Sequence, residues 1–129
     1  MTYKVKQLDF SIPSNEYFEL IKDNDWAVYL NSNNSKYNDQ RYDILSSNPI
    51  NKIILQSEDS SSDITKDNIF NLLKESINAH ECQTDDEIPF CGGAIGFISY
   101  DFGNAIHNIK KKNNNDFDYP LAAFGIYNW

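Results

Sequence analysis

Pro89-Phe-Cys-Gly-Gly-Ala-Ile-Gly-Phe-Ile-Ser-Tyr-Asp101 carries more structural information than any other stretch of this chain. Gly92 and Gly93 permit positive φ and a close approach of backbone. The run from Phe90 to Tyr100 is apolar and reads as a strand. A glycine inside it, Gly96, implies a bulge or another segment crossing tightly overhead. It is not a nucleotide loop: there is no GxxxxGK[ST], and Gly92-Gly93-x-x-Gly96 is not GxGxxG. On residue types alone it is a crowded core strand, with a ligand site as the alternative.

Working outward from this run, Asp101 can cap a short helix through Ile109. Leu121 to Trp129 reads as a further strand reaching the last residue, which suggests a piece cut from a longer sheet. Upstream, Thr65 or Asp67 starts a helix with Ile69, Phe70, Leu72, Leu73 and Ile77 on one face. Ser14 can cap another, with Tyr17, Phe18, Leu20 and Ile21 as its apolar stripe, ending near Asn24. Strands are expected at Trp26–Leu30, Tyr42–Ser46 and Ile53–Leu55. Residues 31–40, 58–63, 81–87 and 110–115 are polar connections. Helices interleaved with short strands, and no βαβ unit with a phosphate loop, imply an α+β layered fold with mixed or antiparallel sheet.

The 129 residues suit one domain, 40% hydrophobic and 14% aromatic, so globular. Lys plus Arg is 11 against 19 Asp plus Glu, a net charge of −8. Such a chain repels phosphate backbones and anionic lipid, which argues against nucleic-acid and membrane partners. There is no apolar run of signal-peptide or bilayer length. Two cysteines, Cys82 and Cys91, make no disulfide framework, and a cytoplasmic setting follows as the default.

Among candidate functional residues, Arg41 is the only arginine. Its planar fork suits a carboxylate ligand, or equally a structural pairing with Asp39 or Asp43. Asp43 could orient Arg41. Ser32, just past a strand, offers a hydroxyl to a ligand amine or carboxylate. Cys91 beside two glycines, with His80 and His107 as bases, sketches a cysteine nucleophile, but a strand cysteine is more often a small hydrophobe. No C-x-x-C and no acidic metal loop is present, so no metal or cofactor is expected on this chain.

Taken in order, Trp26-Ala27 to Ser32, Arg41-Tyr-Asp-Ile-Leu-Ser46 with Asn48-Pro49, the glycine run Pro89 to Gly103, and Pro120 with Gly125-Ile-Tyr-Asn-Trp129 resemble the N-terminal domain of the anthranilate synthase and aminodeoxychorismate synthase component I family. Arg-Tyr-Asp-Ile-Leu-Ser is more similar to the aminodeoxychorismate branch, and Asn31 stands where the anthranilate branch has Glu. Asn128 departs from the family's usual Asp.

The resemblance implies that residues 1–129 are an N-terminal domain without its C-terminal chorismate-binding half. The fold implied is part of an α/β/β/α sandwich with orthogonally packed, mainly antiparallel sheets, incomplete by itself. The parent enzyme would make 4-amino-4-deoxychorismate from chorismate and ammonia, on the way to p-aminobenzoate and folate. A glutamine amidotransferase component II would supply the ammonia. Mg²⁺ would sit in the C-terminal half, and this chain alone would be inactive. The resemblance also implies part of a tryptophan pocket at Leu30, Ser32, Asp39, Gln40, Arg41 and Tyr42, with weak binding of L-tryptophan by the chain alone or none. The alternatives are a tryptophan-sensing domain of anthranilate synthase component I and a stand-alone binding module. Exposed sheet edges would favour self-association.

Overall fold

The computed structural model describes residues 6–9, 11–32, 42–56, 64–80, 88, 90–107, 109 and 119–128. These residues form helix α1 (Ser14–Glu19), strands β1 (Val28–Leu30), β2 (Ile44–Ser46) and β3 (Asn51–Leu55), helix α2 (Ile69–Asn78), strand β4 (Gly93–Ile98), helix α3 (Tyr100–Ile106) and strand β5 (Ala122–Tyr127). Strands β1 and β2 pair antiparallel, with Tyr29 opposite Leu45. The other three make an antiparallel sheet in the order β3-β5-β4. The class is α+β, and the described residues form no closed barrel.

The middle of the larger sheet belongs to β5, not to the glycine run. Five of its six residues are buried, against none of β4's. The expectation of a crowded core strand at β4 is therefore corrected: β4 lies at one edge, and Gly96, Phe97 and Ile98 are exposed. The physical reason is pairing, because among the described residues only β5 has a strand on each side. Gly96 nevertheless marks a close approach, made by β5 itself. A Cβ there would lie 2.1 Å from the Ala123 carbonyl oxygen. Gly92 and Gly93 adopt φ of +131° and +134°, which a side chain would strain.

Alternation along the strands sorts the two faces of this sheet. Ile53 and Leu55 of β3 and Ala122 and Ile126 of β5 join Leu121, Ile69 of α2 and Phe102 of α3 in one buried cluster. Leu72, Leu73, Ala94, Ala105 and Phe124 pack against it. Phe70 meets Phe102 edge-on at 5.8 Å between ring centroids. Ile69 and Ile126 are fully buried, each contributing about 1.5–3 kcal/mol. Helix α2 begins later than the pattern predicts. Its first turn is taken by the 66–68 turn, where the Asn68 side chain accepts from the Thr65 N–H at 2.7 Å.

The small sheet is tied to the large one through residues 24–26. The Tyr127 hydroxyl donates to the Trp26 carbonyl at 2.9 Å, and the Asn48 N–H donates to the Asp25 carbonyl at 2.7 Å. Asn24 donates to the buried Ser47 hydroxyl at 3.1 Å. Trp26 itself adopts φ +48°, an uncommon conformation for a bulky residue. That turn explains why β1 starts at Val28 rather than at Trp26. Its indole lies under the Lys52 ammonium, 5.0 Å from the ring centroid. Ser14 does not cap α1. Pro13 holds the cap position and Ser14 is the first helical residue. Among the described residues no helix is long and apolar enough to cross a membrane.

Candidate functional site

Two arrangements of functional interest emerge. The first surrounds Asp43, where residue 43 precedes β2 across from the end of β1. Ser14 of α1 and Asn31 donate to Oδ2, the latter at 3.1 Å. The Ser32 backbone N–H donates to Oδ1 at 2.8 Å, and the Ser32 hydroxyl to the same oxygen at 3.1 Å. Donor direction through the rest of the cluster is forced. A serine hydroxyl has one proton. Ser14 gives its proton to Asp43, so the Tyr29 hydroxyl, 2.7 Å away, donates to Ser14. Asn31 in turn donates to the Tyr29 oxygen at 2.6 Å. The Ser14 hydroxyl, followed by the Ser32 N–H, holds the Asp43 carboxyl below its ordinary range, while partial burial opposes them. The Tyr29 ring stacks on Phe18 of α1 at 5.3 Å, completing the bridge between helix and hairpin.

Of the six residues expected to form a ligand pocket, three are described. Ser32 is half-buried and held by Asp43. Leu30 at the end of β1 is 49% exposed and Tyr42 is 42% exposed, so neither is covered by the described residues. Asp39, Gln40 and Arg41 lie outside the described residues, and so does the expected pairing of Asp43 with Arg41. What the sequence reading missed is the role of Ser14. Spacing of 29 residues conceals its contact with Asp43, and no local pattern reveals it.

The second arrangement is an open apolar cavity of about 420 Å³ on the face of the large sheet turned away from α2 and α3. Trp26 and Val28 from the hairpin side, Ile54 of β3, Ile95 and Phe97 of β4 and Tyr127 of β5 line it. A signal for it was present. Ile53-Ile54-Leu55 is apolar without alternation, which is the pattern of a strand with both faces in apolar surroundings. The Tyr127 hydroxyl is pushed upward in pKa by burial and then by Asp25.

The third sketch, a cysteine nucleophile, finds its residues in structural roles. The Cys91 thiol lies 3.9 Å from the Ile88 carbonyl. His80 donates from Nδ1 to the Ser76 carbonyl at 2.9 Å, closing the end of α2, and His107 follows α3. Among the described residues no three His, Cys, Asp or Glu side chains gather as a metal site.

No family model matches the chain. Aminodeoxychorismate synthase component 1 from Salmonella typhimurium is 26% identical over 121 residues, and that from Escherichia coli is 27% identical over the same length. Each alignment covers 88% of this chain. Over most of its length the chain is similar to aminodeoxychorismate synthase component 1 proteins. It spans only 27% of the length of these two component 1 relatives. Anthranilate synthase component 1 from Bacillus caldotenax is 41% identical over 39 residues, 30% of this chain and 8% of that protein. The long alignments thus go to component 1 proteins of the aminodeoxychorismate branch, and a short one reaches its anthranilate cousin.

Proposed function

We propose that residues 1–129 are the non-catalytic N-terminal domain of an aminodeoxychorismate synthase component 1, working in the cytoplasm as support for a catalytic half. The observation that carries this reading is the alignment itself: 88% of the chain matches proteins of which it spans 27%. In this reading the parent converts chorismate and ammonia to 4-amino-4-deoxychorismate, with ammonia from a glutamine amidotransferase component II. Chorismate and Mg²⁺ belong to the remainder of the parent. The described residues of this chain offer no cluster to hold a metal, and no step of the chemistry is assigned to them.

The open apolar face supports the same reading. A sheet whose far side presents Ile54, Ile95 and Phe97, with Trp26 beside them, around one cavity is stable when something covers it. The proposed cover is the remainder of the parent, which would complete the second layer of a sandwich. Leu30, Ser32 and Tyr42, with Asp39, Gln40 and Arg41, form in this reading one part of a pocket for L-tryptophan. The half-exposed Leu30 and Tyr42 side chains are what an incomplete pocket presents. The short anthranilate synthase match favours the tryptophan-sensing alternative as a second reading of the same domain.

The test is reconstitution. The chain, the protein encoded downstream of residue 129, and their mixture are each given chorismate, ammonium and Mg²⁺. The expected product, 4-amino-4-deoxychorismate, forms in the mixture and not with the chain alone. Turnover by the 129 residues alone would overturn the proposal, and anthranilate as product would move it to the other branch.

A further inference from the structure

Helix α1 and the β1–β2 hairpin are bound into one body. Ser14 of α1 donates to Asp43 and accepts from Tyr29 at 2.7 Å, and Phe18 stacks on the Tyr29 ring at 5.3 Å. Asn24 donates to Ser47, and the Asn48 N–H to the Asp25 carbonyl, which closes the open end of the hairpin. At that end the chain enters β1 through Trp26 at φ +48° and leaves β2 through Asn48 at φ +54°. Among the described residues these are the two non-glycine positions with positive φ, a conformation that side chains resist. Hinges lie at such element ends, where a change in φ and ψ turns a whole body. Between this body and the large sheet lies the open apolar cavity, with Trp26 and Val28 on one side and Ile54, Ile95, Phe97 and Tyr127 on the other. Close packing there would resist relative motion; an open space permits it.

We infer, apart from the proposed function, that α1, β1 and β2 turn as one body against the large sheet about residues 26 and 48, and that the Tyr127 hydroxyl and the Lys52 ammonium clasp this hinge shut. Tyr127 of β5 donates to the Trp26 carbonyl at 2.9 Å, on the hinge residue itself. Lys52 of β3 stands 2.5 Å from the Asp25 carboxylate and 5.0 Å from the centroid of the Trp26 ring. Two strands of the large sheet thus hold the 25–26 turn in its uncommon conformation. The clasp is of a kind that opens readily: one neutral hydrogen bond, and an ion pair that water reaches and screens. Trp26 is also a wall of the cavity, so the hairpin cannot turn without reshaping it. The form of the sheet's outer face therefore depends on whether the clasp is closed.

Residual dipolar couplings of the nitrogen-15-labelled chain read the two bodies separately, because a body that turns aligns less. In the unaltered chain, the amides of α1, β1 and β2 and those of β3, β4 and β5 should fit one alignment tensor. In the double variant Lys52→Met, Tyr127→Phe the first group should still fit a single tensor, reduced in magnitude by about a third, the step between rigid and flexible order. The Ile54 and Ile95 methyl resonances report the cavity. Across the unaltered chain, each single variant and the double variant they should fall on one line, in step with the loss of alignment, as a shift between two settings requires. Undiminished alignment of the hairpin body in the double variant overturns the clasp. Couplings in that body that fit no single tensor overturn its turning as one piece, and methyl shifts that scatter from variant to variant overturn the link to the cavity. If the double variant does not fold, Lys52→Met alone is read in the same way: a smaller loss of alignment is expected, and no loss overturns the inference.

Discussion

Gly96→Ala should be among the most damaging single-methyl changes in this chain. An added Cβ would sit 2.1 Å from the Ala123 carbonyl oxygen, 2.7 Å from the Phe124 Cα and 2.7 Å from its Cδ1, where ordinary contact begins at 3.4 Å. Two of these three atoms are backbone of β5, the central strand, and cannot swing aside. Relief requires β4 to move away by about 1 Å, which stretches the ladder from Gly93 opposite Tyr127 to Ile98 opposite Ala122. Overpacking of this kind costs about 1–3 kcal/mol where side chains can adjust, and a backbone clash belongs at the upper end, about 3 kcal/mol. Gly103→Ala is the matched control. Gly103 lies inside α3 with nothing within 4 Å of an added Cβ, so the same methyl should stabilise by up to about 1 kcal/mol through helix propensity. Urea unfolding followed by circular dichroism measures both, with an unchanged m-value showing that only stability moved. A Gly96→Ala midpoint equal to that of the unaltered chain would refute the β4–β5 packing described here.

Further outcomes follow from individual contacts. Tyr127→Phe leaves the Trp26 carbonyl without its 2.9 Å donor, and should lower stability by about 1–2 kcal/mol in thermal unfolding. In an alkaline absorbance titration, the Tyr127 hydroxyl should ionise above the ordinary tyrosine range, and Tyr127→Phe should lose that component. Asp43 has a lowered folded-state pKa, so its contribution is complete above the unfolded carboxylate value of about 3.9 and is lost as pH falls through the lowered value. The stability gap between the unaltered chain and Asp43→Asn, read from urea midpoints, should therefore be widest near neutrality and close in acid.

Much of the layered α+β architecture was legible in the sequence because helix and strand periods differ. Ile69, Leu72 and Leu73 repeat on one helical face, and all three contribute to the packed side of the large sheet. The class followed, and so did the similarity to component 1 proteins, because the glycine run is specific and the other segments are strong as an ordered set. Which strand is central was not legible. Phe90–Tyr100 and Leu121–Trp129 are equally apolar, and pairing order is a long-range property that composition does not encode. Element ends were blurred for local reasons: Trp26 at φ +48° delays β1 to Val28. Ser32 does follow a strand, β1, as its sequence position implied. Its lock by Asp43 was partly foreshadowed by the idea of an orienting acid, aimed then at Arg41. Ser14, read as a cap, spends its hydroxyl on that acid instead.

The most direct test concerns the outer face of the large sheet. Carbene footprinting of the chain, alone and mixed with the protein encoded beyond residue 129, compares labelling at Trp26, Ile54, Ile95 and Phe97, which line the cavity, with labelling at Phe70 and Ile77 on α2. The first group should become protected in the mixture and the second should not. Protection of α2 with the cavity residues still labelled would contradict it.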